Sequence, residues 1–161
     1  RQVLILSSNN YLGLADHPQL IEAGRQALER YGAGTASVRF ICGTFTPHLE
    51  LERALARFLG AEAALTYVSC WAANTGAIPV LADEGDAVLS DELNHASLID
   101  GVRLSRAQRL IYRHCDLKDL EEKLSASRGA RTRLIATDGV FSMEGDLAPL
   151  SGIVELSLIH I

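Results

Sequence analysis

Three polar segments carry the residue types that do chemistry on a small ligand. The first, Ser90-Asp91-Glu92-Leu93-Asn94-His95-Ala96-Ser97, packs two carboxylates, an amide, an imidazole and two hydroxyls into eight residues. Asn94-His95 could stack on or polarise a planar ligand. Taken alone, the stretch reads more simply as a helix-capping loop with an incidental histidine. The second, Ser69-Cys70-Trp71-Ala72-Ala73-Asn74, is built of small residues that let successive backbone N–H groups point at an anion. A following helix would add positive potential, and a phosphate would suit it. An ordinary strand–helix turn is the alternative. The third, residues 137–146, reads TDGVFSMEGD and interleaves hydroxyl, carboxylate and bulky apolar groups. It fits a ligand loop, or a long connection plugged by Phe141 and Met143.

Other chemistries fit less well. Ser97 or Ser142 with His95 and Asp91 or Asp138 could make a catalytic triad, but no GxSxG elbow is present. His17, His48, His95 and His114 include no pair at i, i+4 and no HExxH, so no metal site is expected. Neither GxGxxG nor GxxxxGK[ST] occurs. Arg39 sits among Val38, Phe40 and Ile41, where a guanidinium needs a partner. A structural ion pair or backbone contact is expected there rather than catalysis. Cys42, Cys70 and Cys115 are far apart with no CxxC spacing, which argues against zinc and disulfides and for a reducing compartment. Cys70 and Cys115 read as small packing residues.

The elements that position these segments follow from periodicity. Residues 3–6 form a short strand or arm. His17-Pro18 opens a helix with Leu20, Ile21, Gly24, Ala27, Leu28 and Tyr31 on one face, ended by Gly32 and Gly34. Residues 34–44 read as a packed loop. Pro47 opens a second helix, with Leu49, Leu51, Leu55, Phe58 and Leu59 expected inward and Gly60 as its stop. Strands are then expected at 63–68, 86–90, 109–112 and 133–137. Helices are expected at 71–81, 96–104 and 116–127, the last with Asp116 as N-cap. Strands alternating with helices mean parallel βαβ units in an open α/β sheet. Ligands of such a sheet gather at the carboxyl ends of its strands. That rule groups Ser69-Cys70-Trp71, Asp91 to His95 and Asp138 to Ser142 into one site.

Composition sets the outer bounds. The 161 residues are 48% hydrophobic and 22% charged, ordinary for a globular domain with a real core. A net charge of −5 with no basic block makes nucleic acid an unexpected partner. No apolar run approaches the roughly 20 residues of a membrane span, so no membrane is expected either. No signal peptide is expected, and the missing initial Met points to a missing or processed N-terminus.

Read together, the strings NNYLGL, SVRFICGT with His48 and Leu51-Glu52 following, YVSCWAAN, SDELNHASLIDGVRLS and TDGVFSMEGDLAPL resemble the α-oxoamine synthase family. They run in family order nearly to Glu155. The family is the fold type I group of pyridoxal 5′-phosphate (PLP) enzymes that join an amino acid to an acyl-CoA or run the reverse cleavage. ASVRFICGT and SDELNHASLIDGVRL look most like its glycine C-acetyltransferase branch. That branch interconverts glycine plus acetyl-CoA with 2-amino-3-ketobutyrate plus CoA, in threonine degradation to glycine. The 8-amino-7-oxononanoate and 5-aminolevulinate synthases share the TDGVFSM-like and NHAS-like segments. A catalytically inert remnant that binds a phosphate or a partner is the non-enzyme alternative.

The resemblance implies roles by position. Cys70 and Trp71 would give backbone N–H groups to the PLP phosphate. His95 would stack on the pyridine ring and could serve proton transfer. Ser142 would hydrogen-bond the phenolic oxygen, Asp138 would lie beside the cofactor, and Asn9 would lie near the amino acid carboxylate. The resemblance also implies a homodimer at full length and a cytoplasmic protein (mitochondrial if eukaryotic). PLP chemistry needs an imine lysine. The two lysines, Lys118 and Lys123, fall on the charged face of the 116–127 helix and read as solvated. The family's imine lysine, and the aspartate that pairs with the pyridinium nitrogen, follow the TDGVFSM segment. The chain is therefore expected to be an incomplete, inactive part of the large domain. Its expected divisions are an N-terminal arm with helices at 1–60, a partial PLP-binding domain at 61–156, and a foreign tail at 157–161.

Overall fold

A computed structural model describes residues 3–5 and 7–160, in two compact units, 1–65 and 66–161. Leu6 of the expected arm lies outside the described residues, and residues 3–5 take no regular structure.

In the first unit, α1 (Pro18–Tyr31) starts where His17 Nδ1 accepts the N–H of Gln19 at 3.3 Å, and it stops at Gly32 with φ 81°. Residues 39–43, inside the expected loop, wind into a single π-helical turn, Arg39–Gly43. Gly43 is buried there against the Ser37 carbonyl, in space that a Cβ would need. Next comes α2 (Thr46–Leu59), whose His48 Nδ1 accepts the Phe45 N–H at 3.0 Å and whose stop, Gly60, is left-handed at φ 65°. The expected inward face of α2 is corrected. Leu49, Leu51, Phe58 and Leu59 are exposed, and the buried positions are Glu52 and Ala56. The reason is electrostatic. Arg39 takes Glu52 as its partner, with Nη1 on Oε1 and Nη2 on Oε2 at 3.2 Å, so the helix turns its carboxylate inward. This is the structural ion pair that Arg39 was expected to need.

The second unit is a parallel sheet with helices on both faces. After α3 (Cys70–Leu81) come β1 (Ala87–Asp91), α4 (Ala96–Leu104), β2 (Gln108–Tyr112), α5 (Leu117–Ala126), β3 (Arg133–Ala136) and α6 (Leu150–Ile159). Strand order is β2-β1-β3, all parallel, with Leu89 opposite both Leu110 and Ile135. Central β1 is buried along its whole length, as a strand covered on both faces must be. Its alternation divides the core. Val88 packs with Ile78 and Ala82 of the α3 side, Val102 of α4, and Ala136. Leu89 packs with Leu120 and Leu124 of α5, Ile153 of α6, Tyr112 and Phe141. Burying Leu89 completely contributes about 2 kcal/mol.

Residues 63–68, expected as a strand, form none. Their Thr, Tyr and Val suit a pleated surface, but a strand exists only through a neighbour's ladder. Among the described residues the sheet is confined to β1, β2 and β3. At the amino ends of the strands, buried Asp86 accepts from Arg131 Nε at 3.0 Å, Arg131 Nη2 at 2.7 Å and the Thr132 N–H at 3.1 Å. The hydrogen-bonded Arg131 guanidinium holds the Asp86 carboxyl down at about 2. Asp116 caps α5 as expected, its Oδ1 accepting the Asp119 N–H at 3.0 Å. Helix α6 continues through residues 157–159, and the Arg133 guanidinium bonds the His160 carbonyl.

Candidate functional site

The carboxyl ends of β1 and β3 are knitted together by one amide. Asn94, buried just past β1, donates through Nδ2 to Ser90 Oγ at 2.9 Å and to the Ala136 carbonyl at 2.8 Å. Its Oδ1 accepts the Asp138 N–H at 2.9 Å. The Asp138 carboxylate returns the contact by accepting the His95 N–H at 2.6 Å. Two of the three polar segments thus meet through residues 44 and 43 positions apart in the chain.

His95 is the N-cap of α4. Its Nδ1 lies 2.7 Å from Ser97 Oγ and accepts the Ser97 N–H at 3.2 Å. The residue itself is exposed, so its ring is fixed along one edge and open to a ligand. The remaining segment, Ser69 to Asn74, joins through Asn74, whose Nδ2 donates to Ser97 Oγ at 2.9 Å and lies 3.7 Å from Cys70 Sγ. At the start of α3, Ser69 Oγ accepts the Ala72 N–H at 3.1 Å and the Ser69 carbonyl accepts that of Ala73. The N–H groups of Cys70 and Trp71 lie in the helix's first turn, where a helix leaves its backbone donors without an intrahelical acceptor. Cys70 is exposed there and is not the packing residue expected. Cys115 is half-buried against the Leu89 core.

Ser142 lies on the 138–148 loop. The Phe141 N–H donates to the Asp146 carbonyl at 2.9 Å, and Ala148 closes on Gly139 at 3.1 Å. Phe141 is the expected plug, 1% exposed. Met143 is not: it is 88% exposed, because the turn that buries Phe141 carries the residues after it outward. No hydrogen bond among the described residues links Ser142 to His95 or Asp138. Asn9 belongs to the first unit.

The triad alternative fails on geometry. Ser97 has no exposed surface and is held by Asn74, so it cannot reach a substrate. Asp138 bonds the His95 backbone, not its ring, and Asp91 faces His114.

A knot around His114 was not foreseen. Asp91, 2% exposed, accepts from Leu93 N, Cys115 N and His114 Nδ1 at 2.9–3.0 Å. His114 Nε2 reaches Asp146 at 3.1 Å, and its ring meets Phe141 edge-on at 4.4 Å. The Asp91 hydrogen bond raises the His114 pKa, and the Asp146 bond adds to it against burial. Ligand atoms of Asp91, His114 and Cys115 lie within 4.8 Å of one another. Burial and the two carboxylates push the Cys115 thiol up, and both nitrogens of the His114 ring are already engaged by Asp91 and Asp146. The cluster therefore reads as a clasp that ties the 138–148 loop to β1. The clue was in the sequence, in two aspartates and a histidine at or beside strand ends, but their pairing spans 23 and 32 positions.

With that geometry in hand, comparison with known proteins decides the family. Residues 1–160 match the family model described as aminotransferase class I and II. The chain belongs to that family. Among aminotransferase class I and II relatives, it is 56% identical over 157 residues to the 8-amino-7-oxononanoate synthase of Thermosipho melanesiensis. That alignment covers 98% of this chain and 40% of the relative. It is likewise 56% identical over 151 residues to the mitochondrial 2-amino-3-ketobutyrate coenzyme A ligase of Homo sapiens, covering 94% and 36%. A solved serine palmitoyltransferase of Sphingomonas wittichii superposes with a TM-score of 0.95 at 38% identity, over 99% of this chain and 40% of that one. The S. paucimobilis enzyme, solved with bound PLP–myriocin aldimine, gives 0.88 at 37%, over 94% and 38%. The likeness to α-oxoamine synthases expected from the motifs is borne out. The sheet and its helices are the N-terminal portion of the fold type I transferase fold. The chain spans about 40% of the length of the curated relatives it matches.

Proposed function

We propose that this chain forms the N-terminal part of the cofactor-binding domain of a PLP-dependent α-oxoamine synthase. The observation that carries the reading is the network joining Asn74, Ser97, His95, Asn94 and Asp138 at the strand ends, in a family member whose relatives include an 8-amino-7-oxononanoate synthase and a 2-amino-3-ketobutyrate coenzyme A ligase. Cys70 and Trp71 would hold the phosphate by their N–H groups, His95 would cover one face of the ring, and Ser142 would bond its phenolic oxygen. Asp138 would hold the His95 backbone beside the cofactor, and Asn9 would serve the amino acid carboxylate. The residues fit such a group: the first-turn N–H groups of a helix and an exposed imidazole are coupled through one buried hydroxyl. Bound there, PLP supplies an electron sink for the carbanion at the amino acid α-carbon. The residues' share is to bind the phosphate, fix the ring plane and hold protons at defined atoms.

Lys118 and Lys123 lie on α5, and Lys123 Nζ is 3.9 Å from Asp119. Neither is at a strand end, so the anchoring lysine is proposed to come from the rest of the full-length protein, which we take to be a homodimer. No helix among the described residues is long and apolar enough to cross a membrane.

The finer proposal is interconversion of glycine plus acetyl-CoA with 2-amino-3-ketobutyrate plus CoA, supported by ASVRFICGT and by the human ligase. An 8-amino-7-oxononanoate synthase is the second reading, favoured by the equal identity to the Thermosipho enzyme. Steady-state assays of the full-length protein decide between them. Glycine with acetyl-CoA should be preferred to alanine with longer acyl-CoAs, and the reverse preference would establish the second reading.

A further inference from the structure

We propose that Asn74 and Ser97 are positioning residues that set the orientation and tautomer of His95. Ser97 Oγ is completely buried and has two side-chain partners, Asn74 Nδ2 at 2.9 Å and His95 Nδ1 at 2.7 Å. An amide nitrogen only donates, so the hydroxyl accepts from Asn74 and sends its own proton toward His95. The Ser97 N–H points at the same ring nitrogen at 3.2 Å. A nitrogen that faces two donors carries a lone pair, so the imidazole proton sits on Nε2.

The relay runs in one direction, Asn74 to Ser97 to His95, and links the starts of α3 and α4. Asn74 lies one turn after Cys70 and within 3.7 Å of its sulfur. The donor turn for an anion and the exposed ring are therefore set by a single side-chain pair. Gly101 makes this possible, since a Cβ there would sit 2.6 Å from the Asn74 carbonyl oxygen and 2.8 Å from Ile78 Cδ1. Only a bare backbone lets α4 come near enough to α3 for Asn74 to reach Ser97. The meaning of this relay for PLP rests on the function proposed above; the hydrogen-bond direction does not.

The relay's polarity gives a test that simple helix capping would fail. Asn74→Asp keeps the shape but turns the donor into an acceptor. Ser97 must then donate to the new carboxylate, and its oxygen becomes an acceptor for a proton on His95 Nδ1. The full-length protein, labelled with 15N-histidine and without cofactor, is read by NMR, with His95 assigned by the signal lost in His95→Gln. The unsubstituted protein should show the Nε2–H tautomer. Asn74→Asp should populate Nδ1–H, Asn74→Asp with Ser97→Ala should not, and Ser97→Thr should match the unsubstituted protein. In the PLP-loaded protein, Asn74→Asp should lower kcat about ten- to a hundredfold with KM for the amino acid little changed. An Nδ1–H tautomer in the unsubstituted protein overturns the proposal. So does an unchanged tautomer in Asn74→Asp, or an equal change without the Ser97 hydroxyl. If the unsubstituted protein fails to take up PLP, the proposed function falls instead, and the tautomer is still decided by the cofactor-free spectra.

Discussion

Removing the Asn94 side chain should loosen the carboxyl ends of β1 and β3 together. Asn94→Ala deletes donors to Ser90 Oγ and the Ala136 carbonyl and an acceptor for the Asp138 N–H. At about 1 kcal/mol net per hydrogen bond the loss is about 3 kcal/mol, and an orphaned buried partner adds about 1–2 kcal/mol more. With a urea slope of about 2 kcal/mol per molar, the unfolding midpoint falls by about 2–2.5 M. Asn94→Asp separates the contributions. The introduced carboxylate still accepts from Asp138 but sets its oxygen against the Ala136 carbonyl, so two donors go and about 2 kcal/mol is lost. Protonating that carboxyl restores one donor, which raises its folded-state pKa. The penalty of this variant should therefore shrink as pH falls through that raised value, opposite to an ordinary salt-bridged carboxylate. The assay is urea unfolding of the full-length protein followed by circular dichroism at several pH values. A loss below about 1 kcal/mol in Asn94→Ala, or an Asn94→Asp penalty that grows on acidification, would refute the reasoning.

Further outcomes follow from other contacts. Gly101→Ala should cost about 1–3 kcal/mol by overpacking the α3–α4 seam, read by thermal unfolding, and should weaken PLP binding as His95 shifts. Asp86, held at about 2 by Arg131, contributes stability above the unfolded carboxylate range that is lost as pH falls through about 2. Acid titration of Arg131→Met should show that loss already absent. His114 has a raised pKa, so its contribution is full below its unfolded value and is lost as pH rises through the folded one. In Asp146→Asn that alkaline loss should be smaller, and limited proteolysis should cut the 138–148 loop faster.

Local signals in this chain were legible wherever the deciding partner is near in sequence. Asp116 and Asp119 are three apart, and the α5 cap lies where it was read. Gly32 and Gly60 stop their helices for the backbone reason that marks them in a sequence. The strand-end rule, applied to β1 and β3, picked out the segments of His95 and Asp138, whereas the Cys70 turn was picked out from a strand expected at 63–68 that does not form. What failed depended on distant partners. Residues 63–68 have strand composition but no ladder, and composition cannot supply one. The apolar residues of α2 yield the inward face to Glu52, because Arg39 sits thirteen residues earlier. The relay through Asn74 and Ser97 spans 23 positions, and the His114 clasp up to 32, beyond any periodic signal. Each of those residues was visible as a polar side chain, but nothing local indicated which would pair.

The central claim is that His95, with the strand-end network behind it, forms one face of a PLP site. Titrating the full-length protein with PLP while following visible absorbance tests it most directly. The account predicts saturable binding, with the dissociation constant raised about tenfold in His95→Ala, as the loss of an aromatic stack requires. No saturable binding, or an affinity unchanged by that substitution, would contradict it.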